Sequence, residues 1–429
     1  MRVVCFVLSD IACIVLDVLP CLANVVFVDR NASGANNGTS WVDAYNDFGA
    51  ALKSTNIGDQ VWVADGVYVP TTGTNRAATF VLVSGIQVYG GFAGGEKQLK
   101  DRNWRLHRSV LSGDISAAGR HRDNSYHVVE AVDLEQPARI DGFLVTRSQN
   151  DPVPPRGRGG GLYVLRANLS VLNCEFQKNR AGGGGAMWIE GSTLTLEDCL
   201  FRNNRSRALT TDSADVTVVG CTFVRNPSKT DGGAIGAFSG SRITALRSLF
   251  VGNTASNGGG GAYFGTDPGS FSDCSFVGNR CVSWGGAIYQ FDDSVSITYC
   301  SFTGNYAEYW GGGIVANDGT ELVNCAFYHN LGGRRTGQQA QLEYWDKGSI
   351  NNSLVEGWTG SLGGEGNFDG DPKWIDAGGG NLRIARDSPC IDAGSDEAVT
   401  EAVDLDGNPR ILGGRVDIGA YENVCREAI

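Results

Sequence analysis

Aromatic residues recur at matched places in this chain. Tyr163, Trp188, Phe264 and Tyr289 each stand two residues beyond the close of a glycine-rich turn, and Trp284, Tyr309 and Trp310 sit in or beside such turns. Flat rings aligned on an outer face can stack against the apolar faces of sugars. Trp188, Phe264, Trp284, Tyr289, Tyr309 and Trp310 are therefore the candidate ligand-binding residues. Rings so placed can equally pack on one another and serve stability alone.

Acid–base chemistry has thinner support. A polysaccharide lyase needs a base beside an acidic sugar, with calcium or basic residues neutralising its carboxylate, and a glycoside hydrolase needs two carboxylates flanking the scissile bond. Asp292, Asp293 and Glu308 fall near the aromatic positions, and Asp212 and Asp215 fall on an earlier loop. Carboxylates at turns are ordinarily solvated, which is the simpler account of these five. Asp404, Asp406 and Asn408 are spaced like the start of a calcium loop, but Arg415 stands where the closing glutamate belongs. A turn is expected there, calcium is the one cofactor with any support, and the spacings that would announce a zinc site are missing.

The elements that must carry these side chains follow from a repeat. Cys174, Cys199, Cys221, Ser248, Cys274, Cys300 and Cys325 are 25, 22, 27, 26, 26 and 25 residues apart. Each is followed two residues later by phenylalanine (Phe176 to Phe327) and five residues later by asparagine (Asn179 to Asn330). A glycine pair opens the next segment, as at Gly184-Gly185, Gly232-Gly233, Gly260-Gly261, Gly285-Gly286 and Gly311-Gly312.

Side chains on a strand alternate between faces. Rows such as Leu169, Leu194, Val216, Ile243 and Val295 thus point inward, and the row Ser170, Thr195, Thr217, Thr244, Ser270, Ser296 points out. The residue before each cysteine breaks the alternation and marks a corner. After the glycines, Leu162, Met187, Ile235, Tyr263, Ile288 and Ile314 read as a further inward row. Three short strands per coil of about 25 residues, with like residues at like positions, predict an all-β solenoid, a right-handed parallel β-helix with three strands per coil. The asparagine is expected at a turn, tolerating left-handed backbone and bonding the next asparagine in its stack. Stacked cysteine side chains point in parallel, which suits a disulfide dihedral poorly, so the column reads as free buried thiols. Cys390 and Cys425 lie outside it and could pair.

Residues 1–23 have the pattern of a secretory leader, residues 24–125 an N-terminal cap and first coils with a short helix over 43–53, residues 126–355 the regular repeats, and 356–429 the last coils and a turn-rich closing region. No other segment is apolar enough to span a membrane. With 61 glycines, 11 prolines and 41% apolar residues the chain is neither collagen-like nor disordered, and a net charge of −12 argues against nucleic acid as partner.

The Phe-x-x-Asn and Gly-Gly-Ala pairs resemble the repeats of polymorphic outer membrane proteins, and Ser388 to Glu422 resembles a choice-of-anchor Q domain. Residues 36–44 and 90–96 are similar to secreted bacterial proteins with a pectin-lyase-like β-helix. The resemblance implies residence in the extracellular space or at the cell surface, in association with an outer membrane. Insertion through a C-terminal barrel is not expected, because no barrel-like segment follows the repeats. The fold hosts lyases, hydrolases and adhesins, so it leaves the chemistry open. The expected function is a binding or adhesive surface for a polysaccharide or a cell-surface protein. The alternatives are a carbohydrate-active enzyme, lyase or hydrolase, and a structural envelope component.

Overall fold

The computed structural model describes residues 23–424 apart from 117, 118, 120, 151–156, 293, 318, 346 and 347. The leader-like segment up to residue 22, Asp293 and Cys425 thus lie outside the described residues. The chain winds as a right-handed parallel β-helix with three long sheets of twelve, eleven and ten strands, a short four-stranded sheet, and one antiparallel pair near the C-terminus, Trp374–Asp376 with Asn381–Ile384.

Register follows the side chains. In the twelve-stranded sheet Leu169, Leu194, Val216 and Ile243 align and are buried, while Ser170, Thr195, Thr217, Thr244, Ser270 and Ser296 align on the outer face. In the eleven-stranded sheet the phenylalanines from Phe176 to Phe327 stack with centroids 4.5–5.3 Å apart and planes within 10°. Each ring contributes its full burial, about 1.5–3 kcal/mol, with stacking in addition.

At the end of that strand the chain turns inward on a column of wholly buried asparagines. Every Nδ2 from Asn179 to Asn305 donates to the Oδ1 of the next asparagine at 2.8–3.3 Å and to a carbonyl of the preceding coil. Asn330 hands the ladder to Gln341 Oε1 at 2.8 Å, which ends it. The left-handed residue at this turn is the one before the asparagine (Lys178, Asn203, Arg225, Gly252, Gly278, Gly304, His329), a correction to the sequence expectation. The asparagine stays in ordinary backbone because its amide must lie flat along the axis to reach both neighbours.

The corner before the cysteines is left-handed at every level, from Asn173 through Asp198, Gly220, Arg247, Asp273, Tyr299 and Asn324. The cysteines are buried free thiols, and Cys390 is likewise free. Cys199 donates from Sγ to Val171 O at 3.4 Å, and Ser248 fills the same column by accepting from Cys221 N at 3.1 Å.

Phe48–Ser54 forms the N-terminal helix and lays Phe48, Ala51 and Leu52 over the open end of the stack. It begins later than expected because Asp47, not Asp43, caps it, accepting from Ala50 N at 2.6 Å; Asp43 instead accepts from Ala35 N within the preceding loop. At the other end Tyr344, Trp358 and Leu362 pack against the core. The remaining chain runs back along the outer face of the eleven-stranded sheet. There Arg410, fully buried, lies 4.0 Å over the Tyr299 ring and reaches Asp273 at 3.3 Å and Glu422 at 3.4 Å. Burial, reinforced by the Asp417 charge, pushes Glu422 up to about 8, and burial pushes Asp273 up to about 6 against the pull of Arg410.

Two predictions follow from this packing. Asn253→Ala leaves Asn226 N and Nδ2, Phe223 O and Asn279 Oδ1 short of a partner and should cost about 2–4 kcal/mol in urea unfolding, whereas Ser296→Ala on the outer row should stay within about 0.5 kcal/mol. A carboxyl held protonated only when folded stabilises below its unfolded pKa and ceases to as pH rises through the folded one. Stability should therefore fall by on the order of 2–3 kcal/mol from pH 4.5 to 8, and Glu422→Gln should remove most of that slope in pH-resolved thermal melts.

Candidate functional site

The edge where the glycine turns lead into the ten-stranded sheet positions the aromatic side chains. Gly159, Gly184, Gly232, Gly259, Gly285 and Gly311 all hold φ between +58° and +65°. A Cβ at Gly285 would lie 2.0 Å from Ile288 O, so the tight turn requires glycine. The residue just before this glycine forms a column along the edge. In two coils it is glycine with a ring lying over it: Trp188 covers Gly183 and Tyr289 covers Gly258. In the next two it is tryptophan, and Trp284 and Trp310 pair across adjacent coils.

These two indoles lie 6.5 Å apart with planes 27° from parallel. Trp345, arriving from the following coil, stands edge-on to both, at 5.5 Å and 84° from Trp284 and 5.8 Å and 90° from Trp310. Tyr289 forms the floor, 5.4 Å from Trp284 and 5.8 Å from Trp345. Phe291, half exposed, extends the surface. Arg335 lies 5.7 Å over Trp310 and pairs with Glu343 at 3.1 Å, and Arg334 lies 4.4 Å over Tyr309. The result is an L-shaped platform of half-buried rings, rimmed by guanidinium groups and a carboxylate.

Of the six sequence candidates, Trp284, Tyr289 and Trp310 meet in this cluster and Tyr309 stands at its rim. Tyr289 departs from the expectation of an exposed ring: it points outward but is only 2% exposed, because Trp284, Trp345 and Phe291 close over it. Trp188 is separate. Thr210, Gly236 and Tyr263 intervene in its row, and its indole lies under Arg158 at 4.5 Å and donates to Glu190 at 3.2 Å.

Phe264 is a correction. It is wholly buried and packs edge-on against Phe271 at 5.7 Å. The run Gly258-Gly259-Gly260-Gly261 admits two frames, and Gly259 takes the left-handed place. Ala262 therefore occupies the inward row assigned to Tyr263, Tyr263 moves outward opposite Tyr289, and Phe264 falls inside, with Gly269 making room for its ring. Sequence reasoning also missed Trp345, Arg334 and Arg335. Trp345 lies beyond the last Phe-x-x-Asn, after a strand that Ala340-Gln341 open in place of glycines, so no frame reached it; Arg334 and Arg335 stand in the turn after Asn330, where the search for rings passed over them.

Among the described residues the candidate carboxylates do not converge. Asp292 ends the strand Ile288–Asp292, whereas Glu308 lies before the glycine turn at the opposite end of that sheet. Asp212 and Asp215 fall on different sheets, either side of the left-handed Ser213. Asp404 accepts from Asp406 N, Asn408 N and Nδ2 and Glu422 N, which makes it the anchor of a turn, and Asp406 pairs with Arg383 at 2.5 Å. Among the described residues no three His, Cys, Asp or Glu side chains are grouped to hold a metal ion, and no helix is long and apolar enough to cross a membrane.

Two family profiles match: the right-handed β-helix region over residues 150–256, and the Chlamydia polymorphic membrane protein repeat over residues 273–290. No curated protein matches the sequence significantly. Among solved structures, pectate lyase Pel9A is similar at 15% identity and a TM-score of 0.53, over 93% of this chain and 96% of that one. A surface adhesin of Streptococcus pneumoniae, PfbA, matches at 8% identity and 0.26 over 71% and 84%, and the tailspike of E. coli bacteriophage HK620 at 12% and 0.29 over 75% and 62%. The profile over residues 150–256 and the likeness to the pectate lyase show the fold, a right-handed parallel β-helix. No choice-of-anchor Q match was found.

Inside and outside rings should separate on substitution. Phe264→Ala should cost about 3–5 kcal/mol, as a cavity in a closed core does, whereas Trp345→Ala, at 37% exposure, should cost no more than about 1 kcal/mol in the same denaturant titration.

Proposed function

We propose that this protein is a glycan-binding protein of the cell exterior, and that it holds sugar rings against Trp284, Trp310 and Trp345. The observation that carries the reading is the L-shaped indole platform. Two nearly parallel indoles on adjacent coils offer stacking faces about one coil apart, and the third closes one side. The rim suits sugars too. The Arg335 and Glu343 pair presents donors and acceptors to ring hydroxyls, and its guanidinium lies over an indole face that a sugar would share.

Binding is preferred to hydrolysis because Asp212 and Asp215, and Asp292 and Glu308, stand apart, and hydrolysis needs two carboxylates flanking the scissile bond. Residence outside the cytoplasm is supported by the leader-like start of the sequence and by the repeat shared with polymorphic membrane proteins. The long rigid stack suits a surface that must project and present a fixed face.

The test is a panel of neutral and acidic polysaccharides, read both for retention of the protein and for release of new reducing or unsaturated ends. The wild type should be retained by at least one polysaccharide without releasing product. Each of Trp310→Ala and Trp345→Ala should weaken retention by roughly a factor of two to ten, at about 0.5–1.5 kcal/mol per ring. Unchanged affinity in a double variant that keeps its melting temperature would move the binding surface elsewhere, and product release would make the protein an enzyme.

A further inference from the structure

One coil is shorter than all the others. From the ladder asparagine to the alanine that opens the next strand there are seven residues in the coil of Asn179 and eight in that of Asn226, but only four from Asn204 to Ala208. Ala208 N bonds Gly233 O, and Ala186 N bonds Ala208 O, so the short coil keeps its place in the stack. The missing residues come wholly out of the outer turn. The turn that remains, Arg205-Ser206-Arg207, crosses the gap with two successive non-glycine residues in the left-handed region, at φ +70° and +65°. Such backbone is held only where its surroundings enforce it.

The deletion leaves a notch of about 350 Å³ in the edge of the solenoid. Arg180 and Gly182 form one wall, Ser228 and Lys229 the other, and Arg205 and Ser206 the floor. A second hollow of about 380 Å³, with Lys178 on its margin, adjoins it across Arg180 and Arg205.

The charges in this notch set it apart. Several neighbouring arginines are paired: Arg108 and Arg202 with Glu175, Arg147 with Asp114, Arg158 with Glu190, Arg166 with Asp133. Among the described residues Lys178, Arg180, Arg205 and Lys229 have no carboxylate within ion-pair distance. Arg180 and Arg205 are bridged neighbours on successive coils, so their backbones stand about 4.8 Å apart at the margin of the notch. In a chain of net charge −12, four cations without a carboxylate partner among the described residues thus line these two adjoining hollows. Arg207 braces the opening from behind: its Nε donates to Asp231 O at 2.5 Å, its Nη2 to Thr230 Oγ1 at 2.7 Å, and its guanidinium lies 4.7 Å over Phe238.

We infer that this notch is a second binding subsite, in which Arg180, Arg205 and Lys229 hold the carboxylate or sulfate groups of an acidic glycan. The inference rests on the glycan-binding reading and adds to it the class of glycan. The notch and the indole platform lie on the same edge. From Arg205 through the coils of Lys229, Asn257 and Trp284 to Trp310 is four coil steps, about 19 Å. One extended chain can therefore meet charge at one end and rings at the other. A polymer with an anionic group on each sugar repeats its charge at nearly the spacing of the coils, which a lone phosphate does not.

The experiment measures binding of three size-matched oligosaccharides to the full chain at low and high salt: one sulfated (a sulfated cello-oligosaccharide), one carboxylated (an oligogalacturonate) and one neutral (a cello-oligosaccharide). The wild type should bind at least one acidic fragment, more weakly as salt rises. Arg205→Gln with Lys229→Gln should weaken that fragment at least tenfold, flatten its salt dependence and leave the neutral one unchanged, and the sulfated and carboxylated arms show which anion fits. A second variant inserts three glycines after Ser206 to fill the notch while keeping every cation; it should weaken acidic fragments too, which a merely diffuse positive field would not. The subsite is overturned if no acidic fragment binds, or if both folded variants bind acidic fragments as the wild type does. Trp310→Ala with Trp345→Ala serves as the separate arm: loss of neutral binding there, with the notch variants unaffected, would leave the platform standing and the notch refuted, and the reverse pattern would do the opposite.

Discussion

The amide ladder from Asn179 to Gln341 is the interaction on which the remaining structure depends. Each amide serves two coils, so a slip of one coil against the next would strand a wholly buried donor and acceptor at once. Hydrophobic burial alone would not impose this, because a phenylalanine column tolerates sliding along its own faces. The ladder sets the register, and the register then brings Phe onto Phe, Cys onto Cys and Thr onto Thr. Its cost is that every coil must supply an asparagine at the same place, which is why that residue persists even where the cysteine column yields to Ser248.

With the interior fixed so tightly, variation is displaced to the outer turn between the ladder and the glycine. That segment faces solvent, contributes little to the core and can change length without disturbing the strands on either side. Both candidate binding features lie there. Where the turn keeps its length and the residue before the glycine becomes tryptophan, the edge gains the indoles of Trp284 and Trp310; where it loses residues, the edge gains the notch at Arg205. A solenoid thus separates the part that folds from the part that binds, at the scale of a few residues per coil.

The repeat made the coils, the sheets, the free cysteine column and the outer hydroxyl row legible in the sequence, because each rests on a side chain that recurs at a fixed offset. Legibility failed where the offset was ambiguous or absent. Four consecutive glycines at 258–261 allowed two frames, and choosing the wrong one put Phe264 outside and Tyr263 inside. Trp345 lies beyond the last of the repeat's marks, and only the fold carries it, with Arg335 from the turn after Asn330, to Trp310. The 22-residue step was plain as a number, yet that it removes the outer turn rather than part of a strand depends on hydrogen bonds that a spacing does not reveal.

The charge distribution follows the same division. Against a net charge of −12, several arginines on the coils pair with a carboxylate on the same or an adjacent coil, as Arg166 does with Asp133 and Arg202 with Glu175. Exposed pairs of this kind add little stability, so what distinguishes the notch is that its cations line a concave surface. Around Arg180, Arg205 and Lys229 the low-dielectric wall of the stack and the concave shape of the notch concentrate the positive field. Shape and charge coincide at the one coil whose length departs from the rest, and that coincidence separates a built feature from a chance gap in the surface.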